Sequence, residues 1–200
     1  MGLRVTGGRF AGRKLRSPKS GVRPTADRVR ESLFARLGDL DGAKVLDLFA
    51  GSGALGIEAL SRGAESLVSV ERSRSARDVL QANLEALELT DRARVMGGDA
   101  IAAIGRLARA GDRFHLVLLD PPYASNAAGA VLEAIARVDV LAPHGVVVLE
   151  RSRSHPLPVV TGLVPVDERR YGDTLITQFQ LPAEEPVASS PGPEDRSRHD

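Results

Sequence analysis

The sequence of 200 residues contains no cysteine, which excludes disulfide bonds and thiolate metal sites. Its four histidines are scattered, without the spacing of metal ligands. No apolar run approaches the roughly 20 residues that cross a membrane, and the amino-terminal residues lack the apolar stretch of a signal peptide. We therefore expect a cytoplasmic protein with no metal and no membrane attachment.

The net charge of +1 is unevenly distributed along the chain. Residues 1–24 contain seven basic residues and no acidic residue. Such a segment suits phosphate contacts, which give affinity but little sequence information; the alternative is a solvated tail. It favours a polyanionic substrate, and the candidate RNA contacts are Arg9, Arg13, Lys14 and Arg16. Residues 182–200 are acidic, contain four prolines, and are expected to be disordered.

Strand and helix patterns alternate from residue 44 onward. We predict helices over 26–37, with Thr25 as the cap, and over 54–62, 74–88, 100–109 and 127–139. The predicted strands cover 44–49, 66–71, 92–96, 113–120 and 145–150. Strands that alternate with single helices predict a parallel sheet with both faces covered. Two later β-rich stretches, 159–166 and 174–181, predict an antiparallel pair at the sheet edge, joined around 169–172.

Three organisational units follow from these patterns. Residues 1–37 form a basic amino-terminal extension and a helix, with two short strands expected near 3–6 and 12–16. Residues 38–181 form the main α/β domain, and 182–200 form the tail.

A glycine-rich loop follows the first predicted strand. Gly51, Gly53 and Gly56 satisfy the G-x-G-x-x-G pattern at a strand-to-helix turn. Glu71 follows 20 residues after Gly51, at the end of the next strand, where a carboxylate can accept ribose hydroxyls. These residues alone fit a dinucleotide site as well as a nucleoside site.

Asp47 separates the two interpretations. It precedes the first loop glycine by four residues, and a carboxylate there repels a pyrophosphate that approaches the helix N-terminus. S-adenosylmethionine carries a sulfonium and an ammonium and no phosphate, so Asp47 favours this cofactor. After the third strand, Asp99 is a candidate to accept from the adenine amino group, to cap its helix, or both.

The tetrapeptide Asp120-Pro121-Pro122-Tyr123 follows the buried strand 114–119. The prolines lack an N–H and hold an extended backbone. The Asp120 carboxylate and the Pro121 carbonyl are therefore two acceptors for the two hydrogens of an exocyclic amino group, and Tyr123 offers a ring on which a base can stack. A paired base would first leave its stack.

These motifs together resemble an S-adenosylmethionine-dependent amino-methyltransferase. The segments Val5–Gly8, Gly12–Leu15 and Arg23–Phe34 resemble the RsmD family of bacterial 16S ribosomal RNA guanine-N2 methyltransferases, over residues 3–181. The resemblance implies a Rossmann-like class I methyltransferase fold, an α/β architecture with a mostly parallel seven-stranded sheet and an antiparallel edge pair. It also implies a monomer that acts on 16S rRNA in a small ribosomal subunit or its assembly intermediate.

The same resemblance implies the site residues. It places catalysis at Asp120, Pro121, Pro122 and Tyr123. It suggests that the segment around Arg23 and Thr25 folds over the methionine end of the cofactor. The full predicted cofactor set is Arg23, Thr25, Asp47, Gly51, Ser52, Gly53, Glu71, Asp99 and Ala100.

Three alternatives remain open on the residues alone. A DNA adenine-N6 methyltransferase can use the same tetrapeptide, although the chain has no added target-recognition domain. A nicotinamide-dependent oxidoreductase fits the glycine loop but not Asp47. A non-catalytic RNA-binding assembly factor would use the basic segment without needing Asp120.

Overall fold

The structure is a computed structural model, and it describes residues 2–17, 25–122 and 127–183. Five α-helices lie within these ranges: α1 (Thr25–Leu37), α2 (Ala54–Ser61), α3 (Arg74–Ala86), α4 (Ala100–Arg109) and α5 (Ala127–Ala136). The strands are β1 (Lys44–Leu48), β2 (Ser66–Glu71), β3 (Ala93–Gly97), β4 (Phe114–Leu119), β5 (Leu141–Ser152), β6 (Val164–Tyr171) and β7 (Thr174–Gln180). In the described part of the chain, no helix combines the length and apolarity needed to cross a membrane.

One seven-stranded sheet has the order β3-β2-β1-β4-β5-β7-β6. Strands β1 to β5 are mutually parallel, whereas β7 runs antiparallel to both β5 and β6. The predicted parallel sheet with an antiparallel edge pair is therefore confirmed. The strand order reverses between β1 and β4, which is the point where open α/β sheets usually bind ligands.

Two hydrophobic clusters cover the two faces of the sheet. Successive residues of a strand point to opposite faces, and accordingly Leu118 belongs to one cluster while Val117 and Leu119 belong to the other. The first cluster includes buried residues of α1, α2 and α3, and the second includes those of α4 and α5. The central strand β4 is buried on both sides, apart from His115, because both faces are covered.

The first strand of the edge pair differs from its prediction over 159–166. Strand β6 begins only at Val164, because Val159 is 98% exposed and Gly162 has φ +91°, a conformation that interrupts a strand. At its other end β6 runs to Tyr171, so the hairpin turn lies at 172–173 and not around 169–172. The arginines predicted in the turn lie on an edge strand, where exposed charges oppose pairing with another chain.

Strand β5 is longer than its prediction over 145–150. It begins at Leu141, and its pairing with β4 shifts register between Phe114 and Leu116. His144 has φ +59° near this irregularity. A bulge of this kind adds a residue to one strand and cannot be recognised from the alternation of side chains.

Residues 2–17 form a short antiparallel pair, with a bridge between Arg4 and Lys14. The Val5 N–H donates to the Arg13 carbonyl at 2.9 Å, so the two segments predicted as short strands do pair, but through an isolated bridge and not as strands. Leu3, Val5 and Leu15 are buried in the first cluster. We call residues 2–17 the basic hairpin. It packs on the face of the sheet that also carries α1, α2 and α3.

Glu58 of α2 anchors the basic hairpin. Its buried carboxylate accepts from the Thr6 N–H at 2.8 Å and from the Thr6 hydroxyl at 2.7 Å. It also accepts from Arg30 of α1 and from Arg62, at 3.3 and 2.8 Å. The Arg30 guanidinium, itself buried, donates to the Arg4 carbonyl and pairs with Asp27. One buried carboxylate thus joins the hairpin to α1 and α2.

Glu58→Ala is expected to lower the free energy of unfolding by about 3–5 kcal/mol, because it removes one of the two carboxylates beside the buried Arg30 and the acceptor of both Thr6 hydrogen bonds. Urea denaturation of the whole chain measures this. Glu65→Ala, at an exposed position shortly after α2, is the control and is expected to stay within about 0.5 kcal/mol of the wild type. A decrease below about 1 kcal/mol for Glu58→Ala would show that the cluster does not anchor the hairpin.

Candidate active site

The carboxyl ends of β1 to β4 meet along one cleft of about 540 Å³. Its volume lies within the roughly 300–1,000 Å³ of small-molecule sites. The cleft brings together residues that the sequence analysis selected from four separate segments. The described lining consists of Phe49, Gly51, Val70, Glu71, Arg72, Gly98, Asp99, Ala100, Asp120, Pro121, Pro122 and Ala127.

The loop glycines serve different purposes. Gly51 has φ +54°, and a Cβ there would find nothing closer than the Phe49 carbonyl oxygen at 4.0 Å, so it leaves the cleft open. Gly53 has φ +82°, and its Cβ would lie 2.1 Å from Leu80 of α3. Ser52 and Gly53 are absent from the described lining of the cleft. They lie where the loop contacts α3, at Asn83 and Leu80 respectively.

Asp47 is a buried carboxylate with only half of its hydrogen-bonding satisfied. Its Oδ2 accepts from the Gly56 N–H at 3.0 Å, whereas the buried Oδ1 finds no partner among the described residues. Burial raises its pKa to about 7; the Gly56 N–H opposes this shift and the charge of Glu71 adds to it. A cation beside Oδ1 would satisfy the oxygen and stabilise the charge, whereas a pyrophosphate would raise its energy further.

Glu71 fixes the glycine loop against the end of β2. Its Oε2 accepts from the Gly51 N–H at 2.9 Å and its Oε1 accepts from the Ser73 N–H at 2.7 Å. Each carboxylate oxygen can accept a further hydrogen bond. The carboxylate is therefore oriented by the protein and keeps capacity for ligand hydroxyls.

Asp99 caps α4, as one of its two interpretations predicted. Its Oδ1 accepts from the N–H groups of Ile101 and Ala102 at 3.0 and 3.1 Å. Asp99 and Ala100 also line the cleft. The cap orients the carboxylate at the rim, where its oxygens keep capacity to accept from a base amino group.

Asp120 stands at the end of β4, exposed to the cleft. Desolvation by the surrounding protein raises its pKa to about 8, and the charges of Glu150 and then Asp47 add to the shift. Because the side chain also faces water in the cleft, screening reduces the size of this effect, but its direction follows from the several carboxyls that share one edge of the sheet. Their crowding favours a cationic ligand, which would stabilise the ionised forms, and a pKa near neutrality suits Asp120 to proton acceptance.

A second cavity, of about 250 Å³, lies beside Pro121 and Pro122. Pro121 and Pro122 line both this cavity and the larger cleft. The remaining wall comes from α5, the end of β5 and the loop that follows it, including Gly129, Glu150 and Pro156. The proline pair thus separates two spaces of unequal size.

The basic hairpin is joined to the glycine loop through Asn83 of α3. The buried Asn83 amide donates to the Arg16 carbonyl at 3.0 Å and to the Ser52 carbonyl at 2.9 Å. Its oxygen accepts from the Arg16 N–H at 2.7 Å. The predicted RNA contacts Arg9, Arg13, Lys14 and Arg16 all have exposed side chains on this hairpin.

Two predicted site residues, Arg23 and Tyr123, lie outside the described residues. Thr25, the predicted cap, is the first residue of α1, and only its backbone is described. The predicted closure of the segment around Arg23 over the cofactor also concerns residues outside the described ranges.

Sequence reasoning missed Phe49, Asn83 and Glu150. Phe49 resembles the last residue of an apolar strand, yet it lines the cleft with φ +70°, which is rare for a bulky side chain and typical of functional sites. Asn83 resembles any polar residue of an amphipathic helix. Glu150 resembles the end of a strand, and its position opposite Asp120 depends on strand order.

Asp47→Asn is expected to stabilise the ligand-free protein increasingly as pH rises from about 4 to about 7, and by a constant amount above that. The folded-state pKa lies above the unfolded value of 3.8, so folded Asp47 retains its proton in this window and the associated stability is lost as pH rises. Urea denaturation at several pH values measures the difference from the wild type, which should reach a few kcal/mol. Asp41→Asn, at an exposed position, is the control, and its difference in unfolding free energy from the wild type should not change with pH. The same result for Asp47→Asn would mean that burial does not disfavour the ionised form of Asp47.

Comparison with known proteins places this site in a family context. Residues 3–180 match the protein family described as "Conserved hypothetical protein 95". The chain is 41% identical over 181 residues to "Putative rRNA methyltransferase YlbH" of Bacillus subtilis strain 168, covering 89% of this chain and 98% of that protein. It is 38% identical over 160 residues to "Ribosomal RNA small subunit methyltransferase D" of Escherichia coli strain K12, covering 79% of each.

Solved structures agree with the sequence relatives. "Putative methyltransferase yhhF" from Escherichia coli superposes with a TM-score of 0.80 at 31% identity, covering 90% of this chain and 97% of that chain. A "putative sam-dependent methyltransferase" from Streptococcus mutans has a TM-score of 0.67 at 15% identity and covers 86% of this chain and 52% of that one, a likeness that concerns the fold alone. The predicted Rossmann-like methyltransferase fold is confirmed, and the chain belongs to the RsmD family, whose shared region here spans residues 3–180.

Proposed function

We propose that this protein transfers a methyl group from S-adenosylmethionine to the exocyclic N2 amino group of a guanine in 16S rRNA of the small ribosomal subunit. Methylation of ribosomal RNA is supported by relatives that are named as rRNA methyltransferases and match most of this chain. The choice of a guanine N2 amino group is the finer part of the proposal, and it draws on the resemblance to the RsmD family.

The observation that carries the proposal is that Pro121 and Pro122 lie between two cavities and line both of them. A methyl group passes from donor to acceptor only when both occupy neighbouring spaces that meet at one point. Pro121 and Pro122 line both the larger cleft and the smaller cavity, and Asp120 lines the cleft beside them. We assign the cleft to the cofactor and the smaller cavity to the target base.

The cleft residues fit S-adenosylmethionine, which supplies an electrophilic methyl group when it is bound. The Asp47 Oδ1, which has no partner among the described residues, suits the positive charge at the methionine end. Glu71, oriented by Gly51 and Ser73, accepts the ribose hydroxyls. Asp99 accepts from the adenine amino group at the rim.

The tetrapeptide orients the amino group that is methylated. The Asp120 carboxylate and the Pro121 carbonyl each accept one hydrogen, which directs the nitrogen lone pair towards the methyl group. As the nitrogen–carbon bond forms and the carbon–sulfur bond breaks, the nitrogen loses one proton. Asp120 or an adjacent water accepts it, and a pKa raised towards neutrality suits this role. Tyr123 is proposed to stack on the base.

The basic hairpin is proposed to hold the RNA backbone. Its exposed cations contact phosphates, while Asn83 keeps the hairpin in a fixed relation to the glycine loop. In this proposal residues 1–37 serve as an RNA-binding extension of the methyltransferase domain at 38–181. The protein acts as a cytoplasmic monomer, either on the small subunit or on its assembly intermediate.

Asp120→Asn is expected to lower methyl transfer at least about 100-fold while cofactor affinity stays within a few-fold, because the carboxylate acts on the amino group and not on the cofactor. The assay follows labelled methyl groups into small subunits from cells that lack this protein, with the modified nucleotide mapped afterwards.

Binding experiments separate the proposal from its competitors. S-adenosylhomocysteine should raise the melting temperature of both the wild type and Asp120→Asn, and NAD should raise neither. Stabilisation by NAD alone would favour the oxidoreductase, and label found on adenine N6 of DNA would favour the DNA enzyme. Full function of Asp120→Asn in subunit assembly, without any transfer by the wild type, would favour the non-catalytic assembly factor.

Replacing Arg9, Arg13, Lys14 and Arg16 with Ala should weaken RNA binding and flatten the dependence of log K on log salt by roughly 0.7–0.9 for each phosphate that is no longer neutralised. Titration of labelled 16S RNA at several salt concentrations measures the slope. The control replaces Arg169 and Arg170, which are exposed on the edge strand β6, and should leave the slope unchanged. Equal slopes for the hairpin variant and the wild type would remove the hairpin from the RNA interface.

A further inference from the structure

Glu150 stands beside Asp120 at the carboxyl edge of the sheet. Strands β4 and β5 are parallel, and the last pair in register is Leu119 with Leu149. Asp120 and Glu150 are the next residues along the two strands. Asp120, directly after β4, and Glu150, within β5, are therefore at the same level on neighbouring strands, next to the proline pair that lines both cavities.

The smaller cavity has the size and walls of a site for one base. Its volume of about 250 Å³ lies below the roughly 300 Å³ at which sites for larger ligands begin. Proline rings and small residues supply flat apolar walls: Pro121, Pro122, Pro156, Pro158 and Gly129. Such walls hold a flat ring and leave its polar edge to a few side chains.

The ionisable groups of this cavity are Glu150, Arg151 and His155. The Arg151 guanidinium donates to the Glu168 carboxylate at 2.8 Å and to the His155 carbonyl at 2.6 Å. These bonds direct Arg151 towards β6 and the loop after β5. Glu150 is the carboxylate in this lining, and because a carboxylate accepts several hydrogen bonds, it can accept one from the polar edge of a base.

Guanine and adenine present opposite patterns at that edge. Guanine carries an N1–H next to its N2 amino group, so two adjacent groups donate. Adenine carries an unprotonated N1 next to its N6 amino group, so its ring nitrogen accepts. A flipped base is read along this edge, and a site built to accept an N–H strongly rejects an analogue that lacks it.

We propose that Glu150 selects guanine by accepting the N1–H hydrogen while Asp120 accepts a hydrogen of the adjacent N2 amino group. This inference rests on the proposed function and deepens it, because it names the residue that distinguishes the target base. Adenine in the same orientation would place its N1 lone pair against the Glu150 carboxylate, so two acceptors would face each other.

The interaction of the two carboxyls agrees with this arrangement. The charge of Glu150 is the second cause, after removal of water, of the raised pKa of Asp120. Like charges that share a site disfavour each other's ionised forms. A ligand edge that donates one hydrogen to each carboxylate relieves this repulsion, so guanine gains binding energy from a feature that destabilises the empty site.

The test uses 2-aminopurine, which keeps the exocyclic 2-amino group of guanine but has no N1–H. Once the modified nucleotide is mapped, small subunits are reconstituted with 16S RNA that carries guanosine or 2-aminopurine at that position. The wild type is expected to prefer guanosine in kcat/KM by at least about tenfold, the size of one charge-assisted hydrogen bond. In Glu150→Gln the preference should shrink several-fold, because an amide can also donate to the unprotonated N1.

Controls separate this role from a structural one. Glu133→Gln removes one carboxylate from the exposed side of α5 and should keep the wild-type preference. Stabilisation by S-adenosylhomocysteine should be equal in Glu150→Gln and the wild type. If Glu150→Gln does not fold, Glu150→Asp serves instead and should slow transfer to guanosine more than transfer to 2-aminopurine.

The outcomes are distinct. An unchanged preference in the variant, with both rates lowered equally, overturns the selection of guanine by Glu150 and leaves the proposed function intact. Absence of methyl transfer to guanosine by the wild type overturns the proposed function, and this inference with it.

Discussion

Helix α2 is held by two buried carboxylates whose different partners give them different consequences. Glu58 accepts from two arginines and from Thr6, so its charge is compensated and it anchors the hairpin and α1. Asp47 binds the first turn of the same helix through the Gly56 N–H, but its second oxygen finds no partner among the described residues. The Glu58 carboxylate holds α2 against the hairpin and α1. Because the glycine loop leads directly into α2, the position of the loop depends on these contacts.

The fold was predictable where one element carries its own signal. The strand at 66–71 and the helix at 100–109 agree with the structure to the residue, since each is bounded by glycine or by polar turn residues. The cleft was predictable for a related reason. Residues at the carboxyl ends of parallel strands share one edge of the sheet, so the strand predictions alone place Glu71, Asp99 and Asp120 near one another. The bounds of edge strand β6 were predicted wrongly because valine favours a strand by its residue type alone, whether or not its backbone pairs with a neighbouring strand.

The remaining features depend on interactions between distant parts of the chain. Thr6 meets Glu58 across 52 residues, and Arg16 meets Asn83 across 67. Neither pair has a local pattern, because a single hydrogen bond does not impose a period on the sequence. The approach of Glu150 to Asp120 follows from the β4–β5 register, which only the strand order reveals. The strained Phe49 likewise has no sequence signal, since its neighbours determine its dihedral angles.

Asn83 connects the two surfaces that are proposed to bind ligands. One amide is bonded both to the hairpin at Arg16 and to the glycine loop at Ser52. A ligand that changes the geometry of either segment therefore changes the free energy of the other, and such coupling is reciprocal. If the cleft holds the cofactor and the hairpin holds a polyanion, as proposed, the two binding events belong to one linked equilibrium, so the order in which the ligands bind has no effect on the final state.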